Sequence, residues 1–440
     1  MHSVFRIGGM TYNEAEDFWQ VQLTLTCDND PDIVELTKYM RNEVRGTTGW
    51  QRLGQLLIQI GDFRKAEEVF QILIEQTSEH DSISLARLYN QLAIIKHHQG
   101  DLQAAFKYYN KKHVLDNKSN LSNQADLAVT YNNIGSINLN TGNYSKAMEF
   151  FQKTLDIERK CLPPDSPDLA VTYNNIGMTH KYMGKYGEAL DFYHRTLECQ
   201  KSLPANHGDL ARTYNNIAVV HNELGDYSRA VKYYEDALRI ELRSLAPDHM
   251  NIATTYCSLG AVHKKLNDYP KALKCYEKTL EIYKKSLPAD HPNFAVLHSN
   301  MGSLHYSKEK YPQALECYNK ALEIEETPFH VSPLQLAVTY NNIASVHIKQ
   351  RSFRSAVQFY QKARLIIEEN LPRDHKDVGL AYNNIGVAYY HLRQDSLALS
   401  SFKKALEIYQ KSLPDDHELV QDCKRNIEMT QPDVRSYRMN

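Results

Sequence analysis

Apolar and small residues between 168 and 204 fall in two runs with a break between them. Leu169, Ala170, Tyr173, Ile176, Gly177 and His180 form the first, the last four at offsets of 4, 7, 8 and 11 from Leu169. Those offsets mark one face of an α-helix. Gly184 breaks the pattern at a turn. Tyr186, Ala189, Leu190, Tyr193 and Leu197 then mark one face of a second helix. Pro204 cannot continue that helix and restricts Leu203 before it. Gly177 and Ala189 are small where two such helices would have to cross closely.

The same unit recurs. The phrase LAVTYNNIG stands at 127–135 and again at 169–177, and returns as LAVTYNNIA at 336–344. Aligned on its aromatic, the chain shows Trp50, Tyr89, Tyr131, Tyr173, Tyr214, Tyr256, His298, Tyr340 and Tyr382, at intervals of 39, 42, 42, 41, 42, 42, 42 and 42 residues. A fixed period in this range marks an array in which no helix pair buries its apolar stripe alone, so each must stack on its neighbours. Nine helix pairs are expected, from about Thr48 to His417. A helix over 417–430, with Leu419, Val420, Cys423 and Ile427 on one face, is expected to cap the end.

An aromatic followed by Ile-Gly, then Ala, an aromatic and a small residue on the second helix (Tyr173, Ile176-Gly177, Ala189, Tyr193, Thr196) resembles the tetratricopeptide repeat. The longer period, the T-Y-N-N-I phrase and the L-P-x-D-H loop at 287–291, 371–375 and 413–417 resemble the repeats of kinesin light chains. The resemblance covers roughly residues 50–417. It implies an all-α, right-handed superhelical solenoid whose first helices line a concave groove. Kinesin light chains hold the motor heavy chain through an N-terminal heptad coiled coil. No heptad run precedes Trp50, so attachment to a kinesin heavy chain is not expected.

The paired asparagines pose a question, because neither favours a helix interior. On a wheel of about 100° per residue centred on Tyr173, Asn175 falls opposite the apolar stripe, beside Val171, Met178 and Tyr182. Asn133, Asn175, Asn216, Asn300, Asn342 and Asn384 form the column, with Gln91 and Ser258 filling its row. An amide offers donors and an acceptor to both N–H and C=O of an extended peptide. By resemblance to kinesin light chains, such a ladder holds the main chain of a bound segment. The competing reading is a consensus residue tolerated at an exposed site. Asn174 and its equivalents sit on the flank and are expected to be structural. The clamp of paired Lys/Arg that chaperone-binding tetratricopeptide domains close on a terminal carboxylate is not evident.

Charge adds little: 51 Lys+Arg against 53 Asp+Glu gives no reason to expect nucleic acid or an anionic membrane as partner. Seven cysteines without a C-x-x-C pair read as reduced thiols in a cytoplasmic protein. No apolar run approaches the ~18 residues of a membrane span. The column His180, His221, His263, His305 and His347 recurs once per repeat, too far apart for a shared metal, and lies in the packing stripe. The Asp-His pairs of the loops suit capping of the following helix. No catalytic, metal or cofactor residues are expected, and the partners implied are proteins or peptides.

The first 47 residues differ in kind, leaving the array over 48–417 and a capping helix with its tail over 418–440. SVFRIG and WQVQLTLT alternate as strands, with Gly8-Gly9 beginning the link. They are expected to form a short β-hairpin-like extension, the end of a larger sheet. Followed by such an array, they resemble the last strands of arginine-specific mono-ADP-ribosyltransferase domains. That resemblance implies the alternative of a truncated relative of an NAD-dependent transferase that lacks the catalytic core. Glu14-Ala15-Glu16 spells the catalytic Glu-x-Glu of those enzymes but lies after the strand rather than before it.

Overall fold

The computed structural model describes residues 6–13, 18–24, 49–119, 124–164, 166–201, 203–204, 207–327 and 332–430. Strands β1 (Arg6–Asn13) and β2 (Phe18–Thr24) pair antiparallel, with Met10 opposite Val21 and Asn13 opposite Phe18. The expected extension is therefore a hairpin. Its link is not at Gly8-Gly9, however, because the register shifts between Ile7 and Met10 and β1 runs on through both glycines. A glycine pair without side chains to pack lets a strand bulge without ending it. Glu14-Ala15-Glu16 lies outside the described residues.

Everything else described is helix and turn, and the chain divides into two compact units, 1–203 and 204–440. The first unit carries four helix pairs: α1 (Gly49–Gln59) with α2 (Phe63–Gln76), α3 (Ser82–His98) with α4 (Leu102–Ser119), α5 (Gln124–Asn140) with α6 (Tyr144–Cys161), and α7 (Pro167–Tyr182) with α8 (Tyr186–Cys199). The second carries five: α9 (Gly208–Glu223) with α10 (Tyr227–Ser244), α11 (Met250–Lys265) with α12 (Tyr269–Ser286), α13 (Pro292–Ser307) with α14 (Tyr311–Glu325), α15 (Pro333–Lys349) with α16 (Phe353–Asn370), and α17 (Lys376–His391) with α18 (Asp395–Ser412). Helix α19 (Glu418–Thr430) ends it, burying Val420 and Cys423. The nine pairs and the final helix stand where the periodicity put them.

Each pair is fastened by one device. Ala66, Ala105, Ala147, Ala189, Ala230, Ala272, Ala314, Ala356 and Ala398 are fully buried at the crossings. Four residues on, one turn along the second helix, comes an aromatic ring: Phe70, Tyr109, Phe151, Tyr193, Tyr234, Tyr276, Tyr318, Tyr360 or Phe402, all buried. The ring lies over a small residue of the first helix. A Cβ built on Gly177 would stand 2.9 Å from Tyr193 Cε1, and one on Gly260 2.7 Å from Tyr276 Cε1. Three pairs place Ala93, Ala218 or Ala344 there instead, fully buried. Larger residues have no room.

The loops explain the Asp-His pairs. The histidine, rather than the aspartate, caps the next helix. His249 Nδ1 accepts from the N–H of Asn251 at 3.1 Å, His291 from Asn293 at 3.2 Å and His375 from Asp377 at 3.2 Å. Each saturates an orphan donor of a helix start. The loop closes with a turn in which His291 N–H donates to Pro288 O at 3.1 Å. The histidine column packs as expected. His221 and His263 are buried, and the rings of His180, His221 and His347 stack on Phe192, Tyr233 and Phe359 at 5.4, 5.5 and 5.5 Å. Burial holds His180, His263, His305 and His347 below the usual histidine range.

Candidate functional site

Within each unit, side chains of successive first helices meet, so the face bearing the asparagines is built from several repeats. In the first unit, Asn175 is half-buried rather than solvent-facing. Its Nδ2 donates to Oδ1 of Asn132, one repeat earlier, at 2.9 Å. The second asparagine of one repeat thus pairs with the first asparagine of the repeat before. In the second unit Asn300 Nδ2 reaches Cys257 Sγ at 3.5 Å by the same step, and Asn426 of α19 donates to Asn383 Oδ1 at 3.1 Å. Asn133, Asn342 and Asn384 are half-buried, and Asn216 has the same degree of burial.

The first asparagines are framework residues. Asn174 is buried. Asn215 donates from Nδ2 to Glu241 Oε1 at 3.1 Å and to Thr255 Oγ1 at 3.0 Å, tying three consecutive helices together. Burial raises the Glu241 carboxyl above its ordinary range. This network was not anticipated from the sequence. The one available signal was that Glu241 and Thr255 are polar residues inside otherwise apolar stripes.

The flanking residues separate. Val171 is 48% exposed and its equivalents Val129, Val296 and Val338 are similar, so exposed valines stand one turn before the amides, two in the first unit and two in the second. Isolated exposed valines are ordinary, but a periodic row of them is a surface feature. Met178 is half-buried, part of its side chain packing against the cluster of Leu139, Phe151 and Tyr173. Tyr182 is exposed but not loose, since its ring stacks on Tyr144 at 5.7 Å and carries Lys181 Nζ at 4.2 Å. Asn140 meets His97 at 3.4 Å, and Lys265 donates to Asn222 at 3.2 Å. Repeat-to-repeat polar contacts therefore run the length of the first helices.

Among the described residues no group of His, Cys, Asp and Glu could hold a metal ion, and no helix is long and apolar enough to cross a membrane. Cys161, Cys199, Cys257, Cys275, Cys317 and Cys423 are free thiols, and burial pushes Cys275 and Cys423 up to about 11.

Family models described as tetratricopeptide repeat match residues 126–202, 209–285, 268–327 and 335–411, and a second such model matches 52–113. No curated protein matches. Among solved structures, BtubC (BKLC) from P. vanneervenii is similar at 24% identity over 54% of this chain and 92% of that one, with a TM-score of 0.43. A Podosopora anserina chain of nearly identical TPR-like repeats, named for kinesin light chain, is similar at 16% identity over 47% of this chain and 98% of that one, with a TM-score of 0.42.

Proposed function

The chain belongs to the tetratricopeptide-repeat family, and from that premise we propose that it is a non-catalytic, cytoplasmic scaffold whose first-helix face binds extended peptide segments of partner proteins. The observation that carries the reading is the amide row set beside an exposed aliphatic row. Asn133, Asn342 and Asn384 keep half-buried amides with no side-chain partner among the described residues. Each offers donors and an acceptor to a peptide main chain. Asn175 and Asn300 donate to the preceding repeat, so their role is narrower: one N–H is used, and the other N–H and the carbonyl oxygen are left for a peptide main chain. Val129 and Val171 in the first unit, and Val296 and Val338 in the second, supply apolar contact for alternate side chains of the ligand.

A peptide library displayed on phage, selected on the intact chain, tests this. The affinity of a selected peptide is then compared for the wild type and for the combined change Asn300→Ala, Asn342→Ala and Asn384→Ala, with helicity confirmed by circular dichroism. Each backbone bond is worth about 0.5–1.5 kcal/mol net, so the triple change is expected to weaken binding by roughly tenfold to a thousandfold. Equal affinities would place the ligand on the second helices or the loops.

A further inference from the structure

The turn inside each helix pair needs one residue in left-handed backbone. Gly61, Gly100, Gly142, Gly184 and Gly225 supply it in the first five pairs, with φ of 72–82°. The last four pairs use Asn267, Glu309, Arg351 and Arg393, with φ of 55–61°. Asparagine tolerates this region, but arginine does not favour it. Two arginines kept in a disfavoured backbone at consecutive turns point to a use for their side chains.

Both line one cavity of about 510 Å³, together with Lys349, Phe353, Tyr390 and His391. Lys349, Arg351 and Arg393 form no ion pair among the described residues. No acidic residue lines the cavity. Asp395, the acid nearest in sequence, opens α18 and is not part of the wall. Phe353 and His391 stack at 4.8 Å and 8°, forming a flat aromatic wall. The start of α16 adds to the positive character: Ser352 occupies its cap position without a side-chain cap bond and no acid stands in its first turn, whereas Asp226 and Asp268 cap α10 and α12 and Asp395 opens α18. Uncapped N–H groups at a helix start favour an anion.

We propose that this cavity binds a phosphomonoester, the phosphorylated aromatic side chain of an extended peptide lying on the first-helix face of the second unit. Three unpaired cations exceed what one carboxylate requires. Two guanidinium forks and an ammonium suit the oxygens of a dianionic phosphate. The volume takes an aromatic ring as well as the phosphoryl group, and the stacked wall gives that ring a partner. The site does not depend on the amide row, because its small probes need only the cavity.

Calorimetric titration of the full chain tests it with four probes: N-acetyl-phosphotyrosine amide, inorganic phosphate, N-acetyl-glutamate amide and a phosphotyrosine-containing decapeptide. The phosphotyrosine amide should bind, at least tenfold more tightly than the glutamate amide, and more weakly as salt is raised. The decapeptide should bind more tightly than the amide; equal affinity would overturn the peptide source and assign the cavity to a free phosphate ester. The variant Arg351→Gly with Arg393→Gly should lose at least tenfold in affinity for the phosphotyrosine amide. It should melt no lower than the wild type, because glycine is the residue the first five turns use at this backbone. Asn267→Gly, at a turn that does not line the cavity, should bind as the wild type does. Absence of phosphomonoester binding at millimolar probe, unchanged affinity in the double glycine variant, or equal binding of the glutamate amide would each overturn the proposal.

Discussion

The pairing of Asn175 with Asn132 can be measured by a double-mutant cycle. The bond is 2.9 Å long between two half-buried neutral amides, worth about 1 kcal/mol net. Changing either residue to alanine loses that bond. It also gains about 0.5 kcal/mol, because alanine is the better helix former at an interior position. A single change is therefore expected to cost only ~0–1 kcal/mol, and by itself says little. The propensity gain is the same whichever partner is already changed, so it cancels in the cycle. Asn132→Ala, Asn175→Ala and the pair together should yield a coupling of about 0.5–1.5 kcal/mol. Arrays of repeats need not unfold in one step, so the assay is native-state hydrogen exchange of amides in α5 and α7, which reads local opening free energies. A coupling below about 0.2 kcal/mol would show that the two side chains face water independently. The second asparagines would then be available to a ligand with both N–H donors as well as the acceptor.

Three further outcomes are expected. Ala189→Leu places a branched side chain at a crossing where Ala189 is fully buried, and should cost ~1–3 kcal/mol by overpacking; a thermal melt equal to the wild type would contradict the close crossing. His291→Ala removes the acceptor for the Asn293 N–H and should cost about 0.5–2 kcal/mol, while His291→Asn, a good cap, should restore most of it; equal urea midpoints for the two would refute the cap. Burial lowers the folded-state values of His180, His263, His305 and His347. The unfolded chain therefore binds more protons below its value of about 6.5, and their contribution is full above that pH and lost as pH falls toward the folded values. Glu158, Glu241 and Glu325, raised by burial, act in the opposite sense. The histidine share is read from His347→Phe, whose urea midpoint should fall less than that of the wild type between pH 7.5 and 5.5; parallel falls would refute it.

The helix pairs were legible in the sequence because apolar spacing and small residues are properties of one helix at a time. Ala189 and Tyr193 share a face whatever surrounds them, and Gly177 must be small wherever a ring crosses it. The same holds for the final helix over 418–430. The loop histidines were legible in kind, as caps, but the acceptor atom emerged only with the turn geometry, which brings Nδ1 rather than the aspartate to the next helix start. Gly8-Gly9 read as a link because glycine ends strands more often than it kinks them.

What the sequence determined by itself is the period, the two-helix unit and the positions that must be small, since these follow from backbone geometry repeated within about 42 residues. What only the tertiary structure decided is which neighbour each remaining face meets. A helical wheel places Asn175 relative to the axis of its own helix, not relative to α5, so its bond to Asn132 and the packing of Met178 against its neighbours lay beyond the wheel. The same reason hid the cavity. Arg351 and Arg393 stand 42 residues apart, and only the stacking of one pair on the next turns two separate turns into a single cationic wall.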